Sequence, residues 1–264
     1  MKTNQRAALI SSMLSFAVVA LDAQIANVAL PSIKNSLGGD LSQLQWVVSG
    51  YTLMFSTLLL FGGTIADRIG SRAANRNGVI LFVLASIACG LAPSMEGLIV
   101  ARFIQGIGAA LVTPTALSLI REAFDEPKAR AKAIGLWAVG GAVAAAAGPI
   151  LGGLLVPLDW RFIFFVNVPI GIVSLIVISR VEVSPRKPAK FDIPGQITAV
   201  IGLGSLTFAC IEGGKFGFSS PMILGAFALS LVSIATFIRV QAKSKNPMLP
   251  LDLFKSRSIS IALG

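Results

Sequence analysis

Charged and polar side chains occur inside two of the most apolar stretches of the sequence. Asp22 lies in LDAQIANVALP, together with Gln24 and Asn27, and Arg102 lies in ARFIQGIGAALVTPTAL. A carboxylate surrounded by hydrocarbon is costly unless it is neutral, paired or in contact with a water-filled cavity. Two interpretations are open: a site that handles protons or cations, and a packed carboxyl that only fixes the contact between two helices.

Arg102 is the most obvious counter-charge for Asp22. At about 1.5 Å per residue, Asp22 lies roughly 14 Å from the outer end of its stretch at Pro31, and Arg102 lies about 8 Å from the outer end of its own. A neighbouring guanidinium favours the ionised carboxyl, whereas apolar surroundings favour the protonated acid. A movement that changes their separation would therefore change the proton affinity of Asp22. The alternative is that Arg102 extends outward to the interface.

These side chains must be positioned by membrane helices, because the composition excludes most other classes of protein. Hydrophobic residues make up 55% of the 264 residues and charged residues 13%, whereas about 25% are charged in soluble domains. The sequence contains no His, so His-based triads and His metal ligands are excluded, and nothing indicates an enzyme. Cys89 and Cys210 lie within apolar stretches and do not indicate a disulfide framework.

Eight stretches have the length, about 20 apolar residues, that a membrane-spanning helix needs. Their lengths exclude the shorter alternating strands of a membrane barrel. The first stretch continues well past Asp22, so we interpret it as a retained helix rather than a cleaved signal peptide. A ninth stretch begins near Ser258 and is too short to span at Gly264. The predicted spans are approximately 8–30, 44–66, 77–94, 97–119, 133–156, 161–179, 194–212 and 220–238.

The distribution of basic residues between the spans predicts the orientation. With the N-terminus inside, 18 of the 22 Lys and Arg residues fall in cytoplasmic segments, 3 fall on the opposite side and Arg102 remains within a span. This bias follows the positive-inside rule. It also explains the formal net charge of +10 without nucleic acid as a partner.

The turn between the second and third spans reads GTIADRIGSR, residues 63–72. Gly63 is expected to permit the close approach of another helix, and Gly70 a tight turn. Asp67 can accept hydrogen bonds from backbone N–H groups or from loop arginines. From the residues alone, a short cytoplasmic turn with positive-inside arginines is an equally good interpretation.

The fifth span carries a stripe of small residues, Ala144, Gly148 and Gly152, with Pro149 and Gly153 adjacent. Small residues on one face let two helices pack at close range, and a proline perturbs the local hydrogen bonding. Alone, this stripe predicts packing and no activity.

Three aromatic residues fall on the outer half of the second span: Trp46, Tyr51 and Phe55. They are expected to form a wall for cation–π contacts. An aromatic belt at the membrane interface explains Trp46 equally well.

Taken together, these segments resemble the major facilitator superfamily, and more narrowly its drug–proton antiporter branch with fourteen spans. LDAQIANVALP is similar to the first-helix motif of that branch, GTIADRIGSR to its cytoplasmic gate motif, RFIQGIGA to its fourth-helix motif and GPILGG to its antiporter motif. WRFIFFVNVPIG also looks like this branch. The chain departs from the usual pattern at Gln24, Ala26, Ser71 and Ala144.

The resemblance implies a proton-coupled exporter of small amphipathic or cationic compounds, with the proton gradient as the energy source and no cofactor. It also implies a place in the plasma (inner) membrane, with the lipid bilayer, a small-molecule substrate and protons as partners. It assigns proton coupling to Asp22 and Arg102; the substrate cavity to Gln24, Asn27, Trp46, Tyr51 and Gln105; the cytoplasmic gate to Gly63, Asp67, Arg68, Gly70 and Arg72; and the antiporter motif to Gly148, Pro149, Gly152 and Gly153.

The predicted fold is therefore an all-α multi-pass membrane protein. It comprises a six-helix N-terminal bundle of inverted three-helix repeats, two additional helices and the truncated start of a ninth span. Transport would require the missing C-terminal bundle, in cis or in a second chain, so we expect this chain to be inactive alone. The alternative is a non-transporting membrane protein, or a half-transporter, that acts by homo- or hetero-association. The predicted segments are a bundle at 1–180, a cytoplasmic linker at 181–193, two helices at 194–238, and a linker with the ninth-span start at 239–264.

Overall fold

The computed structural model of the protein describes residues 3–186, 191–244 and 247–248. The chain separates into two compact units, Met1–Ala189 and Lys190–Gly264. Within the described ranges the regular structure is entirely helical, and seven helices are long and apolar enough to cross a membrane. The predicted all-α membrane fold is confirmed. The predicted start of a ninth span lies outside the described residues.

The first unit consists of five long helices followed by two short ones. Their bounds are α1 (Thr3–Leu37), α2 (Leu41–Ile69), α3 (Ser71–Gly90), α4 (Met95–Ala123), α5 (Pro127–Leu155), α6 (Phe162–Phe165) and α7 (Asn167–Ile178). Each helix satisfies its own backbone hydrogen bonds, as a segment in lipid must.

Two of the predicted spans differ in detail from the structure. The sixth forms an apolar helix from Phe162 to Ile178, and its regular hydrogen bonding lapses at Val166, between α6 and α7, while the backbone of Val166 stays in the right-handed helical region. Pro169 has no N–H to donate to the carbonyl of Phe165, four residues earlier, which accounts for a lapse at this place. The first helix does not end at Pro31 but continues to Leu37.

Close contacts between helices in the first unit depend on residues without side chains. A Cβ added at Gly62 of α2 would overlap the carbonyl group of Ala110 on α4. A Cβ at Gly108 of α4 would come within 2.7 Å of the backbone nitrogen of Phe82 on α3. Glycine at both positions lets the backbones approach closely, so α4 is held tightly between its two neighbours.

Hydrogen bonds join the helix ends that carry basic residues at one end of the first unit. The Gln5 side chain donates to the carbonyl of Ala123, which joins the start of α1 to the end of α4 (3.3 Å). Arg72, at the start of α3, donates to the carbonyls of Ile178 and Ser179 at the end of α7 (3.2 and 2.8 Å). The helix ends that carry the described basic residues predicted to be cytoplasmic therefore lie together at one end of this unit. Six residues assigned to the cytoplasmic side lie outside the described ranges: Lys2, Lys187, Lys190, Lys245, Lys255 and Arg257.

The second unit contains two helices, α8 (Ile193–Phe216) and α9 (Pro221–Lys243). Asp192 caps α8 by accepting from the backbone N–H of Gly195 (3.0 Å), and its other oxygen accepts from the Gln241 side chain on α9 (2.6 Å). The Ser230 hydroxyl of α9 donates to the carbonyl of Gly202 on α8 (2.8 Å). These bonds hold the two helices together along their length.

Candidate functional site

A buried ion pair joins α1 to α4. Nη1 of Arg102 lies 2.5 Å from Oδ2 of Asp22, and the two side chains are 1% and 0% exposed. The packing of α1 on α4 brings the two residues to the same depth and turns their side chains toward each other. The predicted pairing is therefore present, and the alternative in which Arg102 reaches the interface is wrong.

The guanidinium of Arg102 has further partners beside the carboxylate. Nη1 also donates to Oε1 of Gln105, one turn along α4 (2.7 Å), and Nε donates to the backbone carbonyl of Val47 on α2 (3.0 Å). The ring of Tyr51 lies 4.3 Å from the guanidinium carbon. Since burial of an arginine is tolerated only when its donors are paired, these contacts explain why the charge remains inside the bundle.

The carboxylate of Asp22 is surrounded by donors. Oδ2 accepts from Arg102, while Oδ1 accepts from Nε2 of Gln105 (2.9 Å) and from Nδ2 of Asn167 (2.7 Å). All three contacts place a donor against the carboxyl group, and the partners come from α4 and from the first residue of α7.

A second layer of polar residues contacts this network from α3. The Ser86 hydroxyl accepts from Nδ2 of Asn167 (2.9 Å) and donates to the carbonyl of Phe164 (2.9 Å). The Cys89 thiol donates to Oε1 of Gln105 (3.5 Å). No site role is predicted from the sequence for Asn167, Ser86 or Cys89. The signal that was available is a polar residue at position 167 inside an otherwise apolar stretch.

The predicted aromatic wall is only partly formed. Tyr51 faces Arg102 as expected, and its ring stacks on that of Phe55, with the ring centres 6.3 Å apart. Trp46 instead stacks on Phe103 of α4, with the ring centres 5.9 Å apart. Tyr51 and Gln105 are 3% and 0% exposed, so neither residue lines an open cavity in this structure.

Two predicted cavity residues do not join the buried cluster. Gln24 and Asn27 are exposed on α1. The Asn27 amide donates to the backbone carbonyl of Ala23 within the same helix (3.2 Å). Both therefore lie on a different face of α1 from Asp22.

The predicted gate motif lies at the end of α2 and the start of α3. Gly70 adopts a φ of +90°, as the tight turn requires, and Asp67 and Arg68 are exposed at the end of α2. Arg72 is bound to the end of α7, as described above. The prediction for Gly63 is wrong: nothing lies within 4 Å of a Cβ added there, and the close helix approach occurs at Gly62 instead.

The small residues of the fifth span pack against α1 as predicted. A Cβ at Gly148 would lie 2.7 Å from Cβ of Gln24, and one at Gly152 would lie 2.9 Å from Cβ of Val28. Gly153 meets nothing within 4 Å, and Pro149 is exposed within the continuous helix α5. The motif therefore presents one packed face and one open face.

These features define a multi-pass helical membrane protein with a solvent-excluded acid–arginine network between its helices. Comparison with known proteins identifies the family. The family model described as the Major Facilitator Superfamily matches residues 12–247, so the chain belongs to that superfamily. A member of this family of transporters is not an enzyme, which agrees with the prediction.

Curated relatives cover nearly the whole chain. It is 41% identical over 259 residues to the "Methylenomycin A resistance protein" of Bacillus subtilis (strain 168), covering 96% of this chain and 55% of that protein. It is 41% identical over 267 residues to the "Multidrug resistance protein Stp" of Mycobacterium tuberculosis (strain CDC 1551 / Oshkosh), covering 100% of this chain and 50% of that protein. The chain thus spans about half the length of these relatives.

Solved structures show the same fold at low sequence identity. A peptide transporter POT in complex with sulfate matches with a TM-score of 0.67 and 15% identity, over 93% of this chain and 53% of that one. A bacterial homologue of the human lysosomal transporter Spinster, inward-facing and unoccupied, matches with a TM-score of 0.57 and 20% identity, over 90% of this chain and 61% of that one.

Proposed function

We propose that this chain forms the N-terminal portion of a proton-coupled exporter of small amphipathic or cationic compounds, of the multidrug type. The names of its relatives support this substrate class, since they include methylenomycin A resistance and multidrug resistance proteins. The observation that carries the proton coupling is the buried Asp22–Arg102 pair, both of whose members are shielded from solvent.

The coupling step follows from the partners of the two charges. Ionised Asp22 binds Arg102 and thereby holds α1 against α4. A proton on Asp22 removes that attraction, while Arg102 keeps the Gln105 oxygen and the Val47 carbonyl as acceptors. Protonation therefore loosens α1 from α4 without leaving the guanidinium unpaired, and deprotonation draws the helices together again.

The substrate would be bound on the face of the bundle that the first unit leaves open. Gln24 and Asn27 on α1 are exposed, and Trp46 on α2 is half-buried. We assign these three to the substrate cavity. We assign Tyr51 and Gln105 to the charge network that they contact.

Export also needs a second bundle, because alternating access depends on one bundle rocking against another around a central site. We propose that this bundle is supplied in cis or by a second chain, and that the 264-residue chain alone does not transport. The charge bias favours a cytoplasmic N-terminus in the plasma membrane. The gate segment at residues 63–72 would then lie at the cytoplasmic end.

The test uses a transporter that carries this chain as its N-terminal portion, reconstituted in vesicles with an imposed pH gradient. Asp22→Asn should abolish the gradient-driven component of efflux while leaving membrane insertion unchanged. Asp159→Asn is the matched control, because this carboxyl is 43% exposed and pairs only with Arg161 across 3.7 Å within the described structure. Full gradient-driven efflux in the Asp22→Asn variant would contradict the proposed role of Asp22.

A further inference from the structure

The side-chain oxygen of Asn167 is a buried acceptor that lacks a donor. Asn167 is 0% exposed, and its Oδ1 has no hydrogen-bond partner among the described residues. Both hydrogens of its amide nitrogen are used, one toward Oδ1 of Asp22 and one toward the Ser86 hydroxyl. An unpaired buried acceptor is costly, so the orientation of the amide is held by what the nitrogen binds.

The present arrangement has no place for a proton on Asp22. Its three side-chain partners, Arg102, Gln105 and Asn167, all donate to the carboxylate. A protonated acid carries an O–H group that needs an acceptor. As long as these partners stay in contact with Asp22, at least one of them must change from donor to acceptor when the proton arrives.

Of the other titratable and charged groups near Asp22 in the described part of the chain, only Arg102 is hydrogen-bonded to its carboxylate, and a guanidinium can only donate. These groups are Arg102 on α4, Tyr51 on α2 and Cys89 on α3. The Tyr51 hydroxyl donates to the carbonyl of Val19, and the Cys89 thiol donates to Gln105. From position 133 onward α5 carries no charged residue, and neither do α6 and α7.

The side-chain amides of Gln105 and Asn167, both beside Asp22, differ in which hydrogen bonds would be lost if the amide turned by 180°. Oε1 of Gln105 already accepts from Arg102 and Cys89, so turning this amide over would place its NH₂ group against the guanidinium. Oδ1 of Asn167 accepts nothing, so turning this amide over breaks no acceptor bond. The reversal exchanges the two donor bonds of Nδ2, to Asp22 and Ser86, for two acceptor bonds of Oδ1 at the same places, and it moves the N–H groups to the side where Oδ1 now lies. Asn167 is the partner that can reverse.

We propose that Asn167 is a positioning residue whose amide turns over with the protonation state of Asp22, donating to the carboxylate and accepting from the protonated acid. This inference rests on the proposed role of Asp22 as the proton-binding group. It extends that role to the sixth span, because Asn167 is the first residue of α7.

The reversal is transmitted to the backbone through Ser86. After the amide turns, its oxygen faces Ser86, whose hydroxyl must then donate to Asn167 rather than to the carbonyl of Phe164. That carbonyl lies in α6, two residues before Val166, where the regular hydrogen bonding of the sixth span lapses. Protonation of Asp22 thus releases a bond between α3 and the sixth span, close to the place where the regular hydrogen bonding of that span lapses.

The experiment is difference infrared spectroscopy on the 264-residue chain in lipid nanodiscs, with ¹³C in the side-chain carbonyls of asparagine. The pH is varied while two bands are followed: the carboxyl band lost in Asp22→Asn and the amide band lost in Asn167→Leu. The expected result is that both bands change with the same midpoint, because Oδ1 of Asn167 gains a hydrogen bond when Asp22 gains its proton.

Asn75 provides the matched control. It is also 0% exposed with an unpaired Oδ1, but its amide nitrogen donates to Ser15, Val112 and Thr115 rather than to a carboxylate. The pH-dependent amide band should therefore persist in Asn75→Leu. The common midpoint is measured on the wild-type chain, and the variants serve only to assign the two bands.

The outcomes separate the two proposals. If the Asp22 carboxyl titrates and the asparagine band does not move, the reversal of Asn167 is refuted and Asp22 keeps its role. If no carboxyl band is lost in Asp22→Asn, the proton site itself fails, and the inference about Asn167 fails with it. With ¹³C in the backbone carbonyl of phenylalanine, a band that shifts in the wild type and not in Ser86→Ala supports transmission to Phe164. The absence of such a band overturns that part of the proposal.

Discussion

The strength of the buried ion pair can be measured by a double-mutant cycle. Arg102→Met leaves the carboxylate of Asp22 buried without its counter-charge, which typically costs about 3–5 kcal/mol. Once Asp22→Asn has removed that charge, the same substitution mainly leaves the Val47 carbonyl without its donor, at about 1–3 kcal/mol. We therefore expect the double variant to be more stable than the sum of the single losses predicts, by about 2 kcal/mol.

The assay is reversible unfolding in mixed detergent micelles, followed by circular dichroism, on the four proteins of the cycle. Asp159 and Arg161 form the matched control, since their side chains are 43% and 32% exposed and their charged atoms are 3.7 Å apart. Exposed pairs typically contribute about 0–1 kcal/mol. If the coupling at the buried pair were no larger than at this exposed pair, the argument that Asp22 depends on Arg102 would be refuted.

Three further predictions concern contacts between helices. The first two are measured with the same unfolding assay and the third by amide hydrogen exchange. Gly62→Ala should cost about 1–3 kcal/mol because its Cβ overlaps a carbonyl of α4, whereas Gly63→Ala should be neutral or stabilising by about 0.5–1 kcal/mol; equal losses would contradict this assignment. Gly148→Ala should destabilise the contact of α5 with α1, and Gly153→Ala should not, because a Cβ at Gly148 would lie 2.7 Å from Gln24 whereas one at Gly153 meets nothing within 4 Å. Gln241→Leu removes a donor from Asp192, so amide hydrogen exchange should rise at the start of α8 and stay unchanged in the first unit.

The network also explains why a lysine cannot replace Arg102. Arg102 binds Asp22, Gln105 and the Val47 carbonyl simultaneously. A lysine carries a single compact ammonium group and cannot reproduce the planar arrangement of donors. The specificity of the site is therefore for a guanidinium rather than for any positive charge.

The sequence alone determined the class of protein and the depth of its charges. Apolar stretches of this length can satisfy their backbone groups in lipid only as helices, so the membrane helices could be found without coordinates. The rise per residue placed Asp22 and Arg102 at a similar depth, and this made their pairing predictable. The stripe containing Gly148 and Gly152 likewise predicted a packed helix face.

The tertiary structure decided which faces of the helices meet. The choice between adjacent Gly62 and Gly63 depends on the rotation of α2 about its axis, and the contact of Asn167 with Asp22 depends on where α7 begins. Depth along a helix follows from covalent geometry and is therefore available from the sequence. Rotation and partnership result from the packing of several helices at once, and for that reason Asn167 and Ser86 emerged as partners of Asp22 only in the folded bundle.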